Sequence, residues 1–161
     1  ELDRGRSVVV HTAAGPEDPR IAQMQQAIKS RALNHEQANR ILGDALGETA
    51  LRVLAVVKLR RLLVTGGDTA GRIQSHLQVQ ALQIAEPVGI AAPLCYLYSR
   101  TSALNGLEVA FKGGQIGTVD YFGRLREAAV PSFAEAALGS FPASGLRTGR
   151  TGDDTSRAGG S

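Results

Sequence analysis

The chain has 161 residues, enough for one domain of ordinary size, and 43% of them are hydrophobic, so a packed core is feasible. The formal charge of +3 and the 4% of aromatic residues provide neither the basic stripe nor the stacking surfaces of a nucleic-acid-binding protein. No apolar run is long enough to cross a bilayer, so no membrane partner is expected. The single cysteine, Cys95, excludes an internal disulfide and fits a reducing, cytoplasmic location.

The first half of the chain predicts two strands and two helices. Three successive valines in Ser7–Thr12 indicate a strand buried in the middle of a sheet. Helical patterns follow from Ile21 to Arg31 and from Asn34 to Leu59, and Arg61–Thr65 is predicted as the next strand. The apolar face of the second helix is predicted to contain Ile41, Ala45, Thr49, Val53 and Val56 or Val57.

The second half of the chain predicts a short helix, Ala70–Leu77, and then a group of strands. These three strands lie in the segments ALQIAEP, Pro93–Ser99 and Gly106–Lys112. The segment TVDYFGRLREAA begins a last helix, with Thr118 or Asp120 as its N-cap. After Pro131 the periodic pattern fades.

Strands that alternate with helices predict an α/β domain, arranged in three layers around a mostly parallel sheet. An antiparallel hairpin is possible near its C-terminal end. The domain is expected to cover residues 1–130, followed by a helical remnant and a flexible polar tail over 131–161. A chain that begins with Glu1 rather than Met is expected to be a fragment or a processed product, and a truncated sheet could self-associate as a homo-oligomer.

The segment TGGDTAG follows the predicted strand Arg61–Thr65 and leads into the next helix. Gly66 and Gly67 let the backbone approach a ligand closely, and free N–H groups at a helix start bind phosphate. Asp68 is then a candidate for a ribose hydroxyl or a metal-bound water, and Thr69 for a phosphate oxygen. The alternative is a tight strand-to-helix corner, in which the glycines provide positive φ and Thr69 is an ordinary cap.

Three established motifs do not fit this turn. A Walker A loop requires G-x-x-x-x-G-K-[ST], but Gly71 is followed by Arg72 rather than lysine. The dinucleotide fingerprint G-x-G-x-x-G is not matched by the spacing of Gly66, Gly67 and Gly71. A short-chain dehydrogenase turn needs glycine where the chain has Ala70.

A second glycine cluster, FKGGQIG, ends the predicted strand Gly106–Lys112. Lys112 can reach a phosphate oxygen as a mobile charge, and the amides beside Gly113 and Gly114 can form an anion-binding nest. Taken alone, the cluster is better explained as a solvated lysine at a hairpin or turn. Both clusters end predicted strands, however, and ligands collect at that edge of an open α/β sheet. Together they indicate one pocket for a polyphosphate.

These two motifs, in this order, resemble the C-terminal nucleotide-binding domain of the four-carbon acid sugar kinases. The resemblance runs from about Ser7 to Arg126 and depends on GGDT together with KGGQ-x-G. It implies ATP as the phosphate donor, Mg²⁺ bridging its phosphates, and transfer to the terminal hydroxyl of threonate, erythronate or an oxo-tetronate. It also implies these nucleotide-binding residues: Gly66, Gly67, Asp68, Thr69, Lys112, Gly113, Gly114 and Gly117.

The chain departs from the family pattern in three ways. The family commonly has serine where this chain has Ala70, and its nucleotide domain begins earlier, with a Ser-Gly-Ser type loop that is not found here. The N-terminal domain that binds the sugar acid and supplies the base is also absent from this sequence. No catalytic residue is therefore assigned, and the isolated chain is expected to be inactive. The alternative is a non-catalytic nucleotide-binding or interaction module.

Overall fold

The computed structural model of the chain describes residues 1–88, 92–114 and 117–139. Two single 3₁₀ turns, Leu2–Arg4 and Ser102–Leu104, accompany the main elements. The helices are α1 (Pro19–Ser30), α2 (His35–Val56), α3 (Gly67–His76), α4 (Tyr121–Glu127) and α5 (Phe133–Gly139). The strands are β1 (Arg61–Thr65), β2 (Val79–Glu86), β3 (Leu94–Ser99) and β4 (Glu108–Lys112).

The two long helices near the N-terminus begin at side-chain caps that the sequence encodes. The Asp18 side chain accepts a hydrogen bond from the Arg20 N–H, and Pro19 occupies the first helical position of α1. Asn34 and Gln37 form a capping box at the start of α2, each side chain bonding the other residue's backbone N–H. These caps satisfy N–H groups that a helix leaves without partners in its first turn.

The four strands form one sheet in the order β1-β4-β3-β2. β1 and β4 are parallel, whereas β3 is antiparallel to both β4 and β2. The domain is therefore α/β as predicted, but the prediction of a mostly parallel sheet is wrong. The reason is that short connections join β2 to β3 and β3 to β4, and such connections can only produce antiparallel neighbours.

The predicted strand Ser7–Thr12 is absent from the sheet. Val8, Val9 and Val10 are 49%, 77% and 67% exposed, although the sequence pattern placed them in the middle of the sheet. Successive β-branched residues favour an extended backbone, but a strand also needs a neighbouring strand for its hydrogen bonds. Among the described residues this segment has no such neighbour.

The core lies on both faces of the sheet, which gives the predicted three layers. On one face, α3 packs Ile73 and Leu77 against Leu97 and Val109, with leucines of α2 around them. On the other face, α4 packs Tyr121 and Leu125 against residues of β3 and β4, including Leu94 and Ala110. Cys95 belongs to the first cluster, and burial raises the pKa of its thiol. The cysteine is therefore a packing residue.

The salt bridge between Arg61 of β1 and Glu108 of β4 fixes the pairing of these two strands at their N-terminal ends. The side chains are only 10% and 9% exposed, and the Arg61 Nε donates to Glu108 Oε2 at 2.6 Å. Arg61 also donates to the main-chain carbonyls of Leu125 and Ala128. One buried guanidinium therefore joins β1, β4 and the C-terminal end of α4.

Helices α2 and α3 pack closely because α2 has glycines at two successive turns. A Cβ at Gly43 would lie 2.8 Å from Cγ of Arg72, and one at Gly47 would lie 2.4 Å from Cδ2 of His76. Asp44 between them accepts a hydrogen bond from His76 Nε2 at 3.2 Å. The predicted apolar face of α2 is therefore wrong, because hydrophobic periodicity does not register the glycines that make the contact. Ile41 and Val56 are exposed instead.

The C-terminal segment begins with α5, whose Phe133 packs against Tyr96 and Tyr98 of β3 with ring centroids 5.7 Å and 5.3 Å away. The predicted polar tail, RTGRTGDDTSRAGGS at the end of 131–161, lies outside the described residues. The proposed boundary at residue 130 stays a prediction. No helix in the described part of the chain combines the length and the apolar character needed to cross a membrane.

We expect Gly47→Ala to destabilise the fold, because the added methyl group would overlap the ring of His76. Overpacking costs roughly 1–3 kcal/mol, against a gain of up to about 1 kcal/mol from the helix propensity of alanine. Urea unfolding should give a lower midpoint. The matched control is Gly123→Ala in α4, where a Cβ meets nothing within 4 Å. Equal stability changes in the two variants would contradict the close α2–α3 contact.

Candidate functional site

The two glycine turns lie side by side at the carboxyl ends of β1 and β4. The parallel register pairs Thr65 with Lys112, so each strand ends at the same level. The Gly66 N–H donates to the Lys112 carbonyl at 2.9 Å. A Cβ built at Gly114 would lie 3.8 Å from the Cα of Gly66. The structure therefore brings together the two motifs that the sequence separates by more than 40 residues.

The first turn presents backbone amides to open space. Gly66 has φ 112° and precedes α3 as its N-cap, without a side-chain hydrogen bond at the cap. The helix begins at Gly67, earlier than predicted, so Asp68 and Thr69 lie in its first turn rather than before it. Thr69 is therefore not the cap. Within the described residues, the N–H groups of Gly67, Asp68 and Thr69 make no hydrogen bond.

Gly67 leaves a space beside these amides. A Cβ built there meets no atom within 4 Å, so the backbone is accessible from that side. The positive end of the α3 dipole adds to the potential at the same point. An anion such as a phosphate group can approach this turn at hydrogen-bonding distance without displacing a side chain.

Lys112, in the second turn, bends back over its own loop. Its side chain is buried, and Nζ donates to the Gly113 carbonyl at 2.7 Å and to the Gly114 carbonyl at 3.5 Å. A Cβ at Gly117, where φ is 107°, would lie 3.5 Å from Cε of Lys112. Among the described residues no carboxylate forms a salt bridge with this ammonium. Residues 115 and 116 of the motif lie outside the described part.

The ring of Tyr121 packs under the Lys112 ammonium in the second turn. The Lys112 Nζ lies 5.6 Å from the centroid of the Tyr121 ring, a distance at which the ring attracts a cation. The Tyr121 hydroxyl donates to the Ala92 carbonyl at 3.0 Å, and burial raises the pKa of this phenol. The sequence predicted a helix around Tyr121 but not the contact of its ring with the lysine. Tyr121 comes four positions after Gly117, and no local pattern marks that contact.

Asp68 connects the first turn to a cleft between α2 and α3. The Asn39 Nδ2 donates to Asp68 Oδ2 at 3.0 Å across 29 positions of sequence. The cleft has a volume of about 350 Å³. It is lined by Glu36, Asn39, Arg40, Asp68, Gly71, Arg72 and Ser75. Sequence reasoning missed Asn39, because nothing local marks a contact between two helices.

The described residues contain no group of three or more His, Cys, Asp or Glu side chains that could hold a metal ion. The chemistry of the turns is instead that of an anion site, composed of backbone amides, a helix start and a buried ammonium. The turns leave room for phosphate oxygens beside Gly67, where a Cβ would meet no atom within 4 Å. A nucleoside polyphosphate, which carries several such oxygens in a row, fits a pair of adjacent turns.

The chain is similar in sequence to known proteins over most of its length. The family model described as "Nucleotide-binding C-terminal domain" matches residues 1–122. A "3-oxo-isoapionate kinase" of Paraburkholderia graminis is 39% identical over 126 residues, which are 78% of this chain and 27% of that protein. A "3-oxo-tetronate kinase" of Pseudomonas savastanoi pv. phaseolicola is 28% identical over 122 residues, which are 76% of this chain and 26% of that protein.

A solved structure from Bordetella bronchiseptica, a domain of unknown function with bound citrate in a domain-swapped dimer, aligns with a TM-score of 0.49 at 28% identity. The alignment covers 55% of this chain and 23% of that one. The chain spans about a quarter of the length of the curated relatives that it matches. Because the family model matches most of the chain, the chain belongs to the nucleotide-binding C-terminal domains of the four-carbon acid sugar kinase family.

Proposed function

We propose that this chain is the ATP-binding part of a kinase that phosphorylates a four-carbon sugar acid at its terminal hydroxyl. The observation that carries the proposal is the contact between the two glycine turns, which meet at the carboxyl ends of the parallel strands β1 and β4. The names of the relatives support the reaction class and a sugar-acid substrate. Threonate, erythronate and oxo-tetronates are the candidate substrates.

The first turn is proposed to hold phosphate oxygens of the nucleotide through its backbone. The N–H groups of Gly67, Asp68 and Thr69 are free of partners within the described residues, and they lie at the positive end of α3. Phosphoryl transfer needs charge stabilisation more than covalent chemistry from the protein. Amides held in place by a helix provide that stabilisation without reorganising during the reaction.

Lys112 is proposed to raise the positive potential at both turns. Lys112 as a residue is 8% exposed, and the partners of its ammonium are carbonyl groups and an aromatic ring rather than a carboxylate. A buried cation without a counter-charge is costly. A bound polyphosphate supplies the missing negative charge, and for this reason the position of Lys112 favours an anionic ligand next to Gly113 and Gly114.

Mg²⁺ is proposed to arrive with the nucleotide rather than to reside in the protein. When bound with the nucleotide, it would supply positive charge that offsets the negative charge developing on the phosphates. Asp68, in the first turn of α3, is the carboxylate beside the glycine turns, and it accepts a hydrogen bond from Asn39. Its role in this proposal is to orient a water molecule on the metal or a hydroxyl of the nucleotide.

We expect Gly67→Ala to abolish saturable Mg²⁺–ATP binding while leaving the fold intact. The added methyl group meets no protein atom within 4 Å, so it fills only the space proposed for phosphate. The measurement is an amide NMR titration. In the wild type, the Gly66, Gly67, Gly113 and Gly114 signals should shift together and saturate.

The control for that titration is again Gly123→Ala, which adds the same methyl group to an open position on α4. It should bind ATP like the wild type. Wild-type signals that stay unmoved in a well-dispersed spectrum would reject the ATP site and leave the glycines as structural corners.

We also expect the purified chain to show no ATP turnover with threonate, erythronate or 3-oxo-tetronate. Among the described residues, no side chain at the turns is placed as a general base other than Asp68, which Asn39 already engages. The measurement is ADP release at saturating Mg²⁺–ATP. Sugar-acid-dependent turnover by this chain alone would show that the catalytic base lies within it. ATP binding without any turnover is also what the alternative, a non-catalytic nucleotide-binding module, predicts.

A further inference from the structure

We propose that the cleft between α2 and α3 binds the nucleoside half of the nucleotide, with Asn39 and Asp68 holding the ribose hydroxyls. The inference rests on the proposed function, since it extends the same site from the phosphates to the sugar and base. It assigns a direction to the bound nucleotide, from the glycine turns along α3 toward the N-terminal half of α2.

The position of the cleft supports this direction. Asp68 lies in the first turn of α3, beside the free amides, and its side chain also lines the cleft. A ligand whose phosphates contact Gly67 can therefore continue into the cleft without a gap. The volume of about 350 Å³ lies at the low end of the range of roughly 300–1,000 Å³ that is usual for small-ligand pockets. A ribose with part of a base is a ligand of that size.

The hydrogen bond between Asn39 and Asp68 leaves one oxygen of each side chain free to accept a hydrogen bond from a ribose hydroxyl. Asn39 Nδ2 donates to Asp68 Oδ2, while Asp68 Oδ1 and the Asn39 side-chain oxygen have no hydrogen-bond partner within the described residues. Two acceptor oxygens on side chains that are hydrogen-bonded to each other suit the adjacent 2′- and 3′-hydroxyls of ribose. An acidic side chain serves ribose hydroxyls in dinucleotide-binding folds by the same chemistry. Because Asn39 holds the carboxylate in place, less rotational freedom is lost on binding.

Arg40 offers a flat surface for the base. It lines the cleft one residue after Asn39, and no salt bridge engages it among the described residues. A guanidinium plane stacks on the face of a nucleobase, as aromatic side chains do elsewhere. The three tyrosines are engaged in other contacts, since Tyr96 and Tyr98 pack on Phe133 and Tyr121 lies under Lys112.

The groove on the other flank of α3 is larger but less suitable. It has a volume of about 650 Å³ and is lined by residues that include Gln74, Gln78, Gln80 and Arg100. Asp68 does not line it, so this groove does not continue from the first turn in the way the α2–α3 cleft does. It contains no carboxylate among its lining residues, and a ribose there would lack an anionic acceptor.

The test compares the binding of Mg²⁺–ATP with that of Mg²⁺–tripolyphosphate, which has the phosphates but no nucleoside. Isothermal titration calorimetry on the full chain should show tighter binding of ATP by the wild type. We expect Asn39→Leu and Arg40→Ala each to weaken ATP binding about tenfold, the usual effect of losing one or two good contacts. Tripolyphosphate binding should change less than about twofold. Gln74→Leu is the matched control, because it removes an amide from the opposite flank of α3, and it should bind both ligands normally.

Three results would overturn the inference while leaving the phosphate site in place. The wild type could bind tripolyphosphate as tightly as ATP, Asn39→Leu could leave ATP binding unchanged, or Gln74→Leu could selectively weaken ATP. If the wild type binds neither ligand, the proposed function fails and this inference fails with it.

A wild-type NMR measurement does not depend on any variant folding. The NMR signals of the Asn39 side-chain amide should shift when ATP is added and stay unchanged with tripolyphosphate. Signals that shift with tripolyphosphate but not with ATP would show that the cleft does not bind the nucleoside.

Discussion

The parallel pairing of β1 with β4 is the constraint on which the site depends. At the N-terminal ends of the strands, Glu108 forms salt bridges with Arg61 and Arg60. At their C-terminal ends, Thr65 pairs with Lys112. Because both strands run in the same direction, the loops that follow them leave the sheet together. An antiparallel pairing would have placed the two glycine turns at opposite edges. A buried ion pair, far from the turns, therefore helps to determine that they meet.

The helical layer then fixes the orientation of the first turn. α3 begins directly after β1, and its position against α2 is set by Gly43 and Gly47, which receive Arg72 and His76. The axis of α3 decides where its free amides and its dipole are directed. Core packing of Ile73 and Leu77 against the sheet holds the same helix from the other side. The free amides of the first turn thus belong to a packed helix rather than to a loose loop.

Local patterns were sufficient to predict most elements but not their partners. The strands β1, β3 and β4 follow from short apolar runs, and the two glycine turns from the glycines at which the runs of β1 and β4 stop, a signal contained in a few neighbouring residues. The direction of strand pairing depends on connection length, and the valines of Ser7–Thr12 were misjudged because exposure depends on whether a neighbouring strand exists. The Asn39–Asp68 contact depends on how two helices pack, which no local pattern encodes.

Lys112 also determines the direction of an amide that its side chain does not touch. In a trans peptide the carbonyl and the N–H of one plane point in opposite directions. Since the Gly113 carbonyl accepts a hydrogen bond from Lys112 Nζ, the N–H of Gly114 in the same plane points away from the ammonium. The lysine thus holds the peptide plane between Gly113 and Gly114 in one orientation. Lys112 therefore makes two distinct contributions, a mechanical one through this hydrogen bond and an electrostatic one through its charge.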